Sequence, residues 1–283
     1  MVAGRLPVRY KFFMNEHIGS ATDGGKTLGA DDPQPIELID GAGEAPVLLI
    51  CDHASNAVPS ALAGLGLSDE HLGRHIAWDI GAAELTRRLA VRLSAPAVLA
   101  GYSRLVIDCN RQPGDPTSIA EISDGLVIPG NMGLSEAAAE ARADLFFWPY
   151  HRAITRSLAR LWRHERPPVL IALHSFTPVM NRRPRPWHVG VLWNRDPRMA
   201  VPLLARLRRH PDLRVGDNEP YSGRQIGYTI DTHAAAAGLP HVSIEVRQDL
   251  INDAAGVEVW TRLLAEALQP ILADPHVHRV ETF

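Results

Sequence analysis

The chain has 283 residues, 46% of them hydrophobic, and a formal net charge of -3. That size and apolar content suit a globular protein with a sizeable core, and interspersed charges speak against a nucleic-acid-binding face. Two cysteines, Cys51 and Cys109, are too few for a secreted disulfide scaffold, and no apolar run approaches the ~18 residues of a membrane span.

Residues 1–45 are rich in Gly, Asp and Pro with little periodicity, so an irregular or partly disordered arm is expected there. Met14 opens a more conventional polar leader, which leaves the translation start open between Met1 and Met14. Without an apolar core and a small-residue cleavage site, this segment does not read as a signal peptide. Both cysteines lie in apolar runs, as buried thiols of a reducing compartment would, and the expected location is cytoplasmic.

From residue 46 the pattern becomes regular, and 46–275 reads as a single α/β domain. Val47-Leu-Leu-Ile-Cys51 predicts a buried strand that runs into Asp52-His53. Ser68-Asp-Glu70 predicts a helix start, with a second helix beginning near Asp79 because Ile80-Gly81 interrupts the first. Two further strands are expected over 95–101 and 105–109, then a Pro- and Gly-rich loop over 112–133, long enough to be functional. Ser135 caps a long helix reaching about Arg163, which Pro149 kinks or divides.

Pro167-Pro168 opens the strand 169–173, which ends on His174-Ser175. Strands at 189–193 and 213–215, a helix over 198–209, a polar loop over 218–228 and a short helix at 232–237 come next. The strand 241–246 and the helix 253–272 close the pattern. Strands alternating with helices predict a mostly parallel sheet between helical layers.

Two predicted strands finish on a histidine, His53 and His174, at the edge where open α/β sheets place their ligands. A catalytic zinc takes three protein ligands and keeps one open position. Asp79 offers a carboxylate, and Asn56, three residues after His53, only an amide oxygen; Asp79 is the preferred third ligand and Asn56 the alternative. The plainer reading makes both histidines structural and Asp79 a helix cap.

Glu245 lies within the apolar strand Val242–Val246. An isolated buried charge is too costly, so it is either paired, with Arg247 the nearest partner, or a general base. The block Ser103–Arg111 collects Arg104, Asn110 and Arg111, groups suited to a carbonyl or a carboxylate, with Asp108 as a buried partner for one arginine.

Cys51-Asp-His-Ala-Ser-Asn56, Trp78-Asp79, the Ser103–Arg111 block, Pro149-Tyr-His151, Leu173-His-Ser175, Asn218-Glu-Pro-Tyr221 and Ile244–Asp249 occur in this order. Together they resemble the N-formylglutamate amidohydrolase family over about residues 45–270. That family is related to zinc carboxypeptidases and to the aspartoacylase and succinylglutamate desuccinylase group. The resemblance implies a phosphorylase/hydrolase-like three-layer α/β/α sandwich around a mixed sheet, with zinc or another divalent cation as cofactor.

It also implies site positions at His53, His174, Arg104, Asn110, Arg111 and Glu245. The wider group has a glutamate ligand where this chain has Asn56. Arg111 with Arg224 would hold substrate carboxylates, Arg247 belongs to the same set, and Tyr150, His151 and Tyr221 would line the pocket. His233 is open between pocket and surface.

The function these readings favour is metal-dependent hydrolysis of an N-formyl or short N-acyl amino acid, first candidate N-formyl-L-glutamate. The alternatives are the same site on another N-acyl amino acid or peptide-like amide, and a non-catalytic small-carboxylate-binding protein. Serine hydrolysis through Ser175 is weaker, because the chain has no G-x-S-x-G elbow. Neither nucleic acid nor membrane is an expected partner.

Overall fold

Eight residues from Val169 to Phe176 form a strand buried along its whole length, two residues beyond His174. The computed structural model that contains it describes residues 28–41, 46–162 and 166–283. Seven strands make one sheet: β1 (Ile36–Ile39), β2 (Val47–Cys51), β3 (Ala97–Ala100), β4 (Val169–Phe176), β5 (Val189–Leu192), β6 (Val215–Asp217) and β7 (His241–Arg247). Their order across the sheet is β1-β3-β2-β4-β7-β5-β6. β1 is antiparallel to β3 and β7 to β5, and the remaining neighbours are parallel.

The helices are α1 (Asp69–Leu72), α2 (Ala82–Leu93), α3 (Glu136–Arg142), α4 (Trp148–Trp162), α5 (Pro197–Leu207), α6 (Tyr228–His233) and α7 (Ala254–Leu272). Central parallel strands need cover on both faces, and the period-two alternation of β4 shows how it is supplied. Val169, Ile171 and Leu173 join a cluster with Leu89 of α2, Leu203 of α5 and Leu264 and Leu268 of α7. Leu170 and Ala172 join a second cluster with Tyr150, Ile154 and Leu158 of α4 and Ile230 of α6. The result is a three-layer α/β/α sandwich around a mixed, mostly parallel sheet.

Local chemistry sets several boundaries. Ser68 caps α1 by accepting from the His71 N–H, Ser135 caps α3 by accepting from Ala138, and Asp253 caps α7 by accepting from Gly256. Gly81, not Asp79, occupies the cap position of α2. Its φ of +80° is left-handed, and a Cβ there would lie 2.1 Å from the Ile251 carbonyl oxygen, so only glycine fits. Asp79 is therefore not spent on capping.

The structure departs from the sequence-based expectations in several places. Ile36–Ile39 is an edge strand, so the stretch 28–41 is not irregular throughout; residues 1–27, with Met14, and 42–45 lie outside the described residues. Leu105–Cys109 is a buried turn instead of a strand, closed by the Val106 N–H on the Ser103 carbonyl at 2.9 Å. Its apolar residues pack with Phe146, Phe147 and Ile128 in a third cluster, and a short apolar run cannot signal which backbone shape buries it.

The 112–133 loop holds a small hairpin, Ile122–Ser123 with Leu126–Val127. A π-helical turn over Ala143–Phe147 separates α3 from α4, which places Pro149 in the first turn of α4, where its missing N–H is tolerated. The strand expected at 213–215 lies at Val215–Asp217. The helix expected at 232–237 is α6, followed by a 3-10 turn over Ala235–Ala237. No helix of the described residues is long and apolar enough to cross a membrane.

Candidate active site

The carboxyl ends of β2, β4 and β7 bring the ionisable residues together. His174 lies on β4 directly opposite Glu245 of β7 in parallel register. By strand alternation both side chains leave the sheet on the side of α4 and α6, the side of Leu170 and Ala172. His53 follows β2 after Asp52. Asp79 is held beside it by a hydrogen bond from its own N–H to the His53 carbonyl at 2.9 Å.

One ligand atom each from His53, Asp79 and His174 lies within 4.8 Å of the others, and all three residues are buried. Asp79 Oδ2 is 2.9 Å from His174 Nδ1 and 3.4 Å from His53 Nδ1. Each ring is backed at its other nitrogen: His53 Nε2 meets Asp108 Oδ1 at 2.7 Å, and His174 Nε2 meets Asp52 Oδ2 at 3.1 Å. Asp52 is held in turn by the Tyr150 and Thr229 hydroxyls, at 3.0 and 2.7 Å.

This is the pattern by which aspartates orient metal-ligating imidazoles and fix their tautomers. His53 Nδ1 is buried without a hydrogen-bond partner, and two imidazoles with a carboxylate are a donor set that suits a divalent cation. The residues present fit such a cation.

Electrostatics agree with the geometry. Burial alone would raise the Asp79 carboxyl, but Arg104 and His53 beside it hold it well below the usual range. For His174, burial works against the charged ring, yet hydrogen bonds to Asp52 and Asp79 push its pKa well above that of a free imidazole. Burial dominates at Glu245 and lifts its carboxyl to about 7, with Oε2 left unpartnered. His75, whose Nδ1 lies 3.6 Å from Asp79 Oδ1, is lowered by burial to about 4.

Other expected site residues are placed differently. Asn56 is turned away, its amide donating to the Leu72 carbonyl at 3.1 Å, which leaves Asp79 as the third member of the cluster. Arg104 is ion-paired with Asp79 through a terminal nitrogen, while its buried Nε has no partner. The Asn110 side-chain oxygen is taken by the Thr229 N–H at 3.0 Å. Arg111 is half-buried, close enough to Asp108 to help lower its carboxyl.

Arg247 is spent on Asp249, at 2.8 Å, and does not pair with Glu245. Arg224 is exposed, with its backbone N–H on Ser222 Oγ. Tyr150 supports Asp52 from behind, and His151 is bound to the Cys109 carbonyl and stacked on His233, so both are interior supports and not pocket walls. Tyr221 accepts from Arg185 at 2.9 Å.

Sequence reasoning missed Asp52 and Arg185, and it paired Asp108 with an arginine instead of with His53. For Asp52 a signal existed. A carboxylate ending an apolar strand invites the same burial argument that singled out Glu245. Arg185, in a polar hairpin, carried no such mark.

A mostly parallel α/β/α sandwich with a buried His–Asp–His cluster at its strand ends defines a class of α/β protein with a candidate metal centre. The comparisons narrow that class. The family model for N-formylglutamate amidohydrolase matches residues 45–252, and the chain belongs to that family.

The crystal structure of gene product Atu2144 from Agrobacterium tumefaciens is similar at 34% sequence identity and a TM-score of 0.81, covering 87% of this chain and 99% of that one. The crystal structure of N-formylglutamate amidohydrolase from Ralstonia eutropha JMP134 shares the fold at 20% identity and a TM-score of 0.60, covering 85% and 97% of the two chains. Among curated proteins none matches the chain.

Proposed function

We propose that this protein hydrolyses the amide bond of an N-formyl or short N-acyl amino acid, with N-formyl-L-glutamate the first candidate. The observation that carries the reading is the unpartnered Glu245 carboxylate across the strand pair from His174 of the His–Asp–His cluster. His53, Asp79 and His174 would hold zinc or another divalent cation, which when bound polarises an amide carbonyl and acidifies water.

The chain's own residues supply the rest. Glu245, with its pKa near 7, is matched to accept a proton from water at neutral pH and to return it to the departing amine. Arg104 offers a buried, unpartnered Nε to the oxyanion that develops as the carbonyl is attacked. Asp108 and Asp52 keep the two imidazoles oriented. Both cysteines are buried and free, which supports action in the cytoplasm.

The test couples elemental analysis with formate release from N-formyl-L-glutamate before and after chelation. The expected result is about one divalent cation per chain, as a three-ligand catalytic site takes, with turnover lost on chelation and restored by metal. Metal without turnover on any N-acyl amino acid, or turnover that ignores chelation, overturns the reading.

A further inference from the structure

The geometry points to Arg185 as the anchor for a free carboxylate on the amine side of the substrate, with Tyr221 fixing its guanidinium. The substrate class rests on the hydrolase reading of the neighbouring cluster; the anion site itself rests on Arg185.

Arg185 is a buried cation, and a buried charge is costly unless a counter-charge or good acceptors meet it. Among the described residues no carboxylate pairs with it. Its NH1 donates to the Tyr221 hydroxyl at 2.9 Å and reaches Thr177 Oγ1 at 3.5 Å, and its NH2 abuts the Met180 sulfur. The guanidinium lies 4.8 Å from the centre of the Tyr221 ring and 5.8 Å from that of Phe176. These contacts fix its plane and leave its charge unanswered.

Arg142 makes the contrast plain. Equally buried and also without a carboxylate, it gives its donors to three oxygens: the Val106 and Gly130 carbonyls and the Asn131 side chain. Arg142 is a satisfied structural cation. Arg185, with two hydroxyls on one nitrogen and a thioether on the other, meets neither a carbonyl nor a carboxylate and is a cation waiting for an anion.

Its location suits the substrate. Phe176 follows His174 by two residues on β4. The charge of Arg185 is felt by His75, which neighbours Asp79, and Tyr221 feels Glu245 and Asp79. A cavity of about 670 Å³ borders Arg185 on its other side, lined also by Arg183, Trp187 and Glu219 and by none of the cluster residues. Of the other arginines near the strand ends, Arg104 is paired with Asp79, Arg247 with Asp249, Arg224 is exposed, and Arg111 is half-buried with its charge on Asp108. A planar guanidinium held by a hydroxyl and stacked on rings is suited to bidentate binding of a carboxylate.

The probes are L-glutamate and its diamide, which keeps the α-ammonium but has no carboxylate, titrated by calorimetry into the metal-reconstituted wild type, Arg185→Met and Arg185→Lys. Wild type is expected to prefer glutamate by roughly 30-fold or more, the scale of a lost partner in a desolvated charge pair. Arg185→Met is expected to lose that preference, and Arg185→Lys to keep part of it. Survival of the preference in Arg185→Met, or its absence in the wild type, overturns the assignment. So does equal weakening of both probes, which marks a collapsed pocket.

Formate release from N-formyl-L-glutamate is scored separately. Its absence, with the glutamate preference intact and dependent on Arg185, strikes the hydrolase reading and leaves the anion site standing.

Discussion

The two faces of the same sheet treat buried space in opposite ways. On the side of α2, α5 and α7, strand residues such as Leu49, Leu173 and Ile244 join one large apolar cluster. On the side of α4 and α6 the same alternation is apolar up to Leu170 and Ala172, then turns to His174 and, on the next strand, Glu245. One face is built for packing. At the strand ends, where the other turns polar, buried atoms lack hydrogen-bond partners at His53 Nδ1, Arg104 Nε and Glu245 Oε2, an arrangement that costs stability and suits binding and chemistry.

Substitutions on the two faces therefore separate function from stability. The largest effect is expected from His174→Ala, which removes one of three candidate ligands and one partner of both Asp52 and Asp79. Bound metal and hydrolysis should both disappear, read by elemental analysis and formate release. Retention of stoichiometric metal would erase the distinction between the faces.

Glu245→Gln comes next. It should keep the metal but lower kcat by roughly 10²–10⁴, the usual worth of a general base. It should also sharpen the contrast in stability. A carboxyl raised from 4.5 to about 7 on folding contributes stability below the lower value, and loses it as pH rises through the upper one. Urea unfolding of the metal-free protein at about pH 5 and about pH 8.5 should show a smaller loss in Glu245→Gln than in wild type, the remainder coming from His174 and His53, whose pKa values are also raised on folding.

On the apolar face, Leu268→Ala in α7 should cost roughly 2–5 kcal/mol in denaturant unfolding, the range for a buried leucine, while metal content stays unchanged. The smallest effect is expected from Asp52→Asn. Replacing the carboxylate behind His174 Nε2 should weaken metal affinity by roughly 10–100-fold without abolishing it, measured by competition with a chelator. No change in affinity would show that Asp52 serves the fold alone.

Much of this was legible in the chain because the relevant signals are local. Val47–Cys51 and Val169–Leu173 declare buried strands by continuous apolar composition. Ser68, Ser135 and Asp253 declare helix starts by cap chemistry, and the order of the motifs pointed to the family that residues 45–252 match. Leu105–Cys109 misled because the same apolar run serves a strand or a buried turn, and the strand expected at 213–215 lies two residues later, at Val215–Asp217, because three residues carry no period.

Pairings across the chain belong to another order of information. The sequence alone determined where the buried strands lie, that histidines sit at two of their ends, and that Glu245 needs a reason to be buried. Only the tertiary structure decided that Asp79 and not Asn56 joins the histidines, that Asp108 and Asp52 stand behind them, and that Arg247 is spent on Asp249 while Arg185 is not paired. Burial patterns follow from each residue's own solvation, which composition and period express. The partner of a buried charge depends on which distant segment the sheet order brings within about 3 Å, a hydrogen-bond distance, and no local property of the chain carries that.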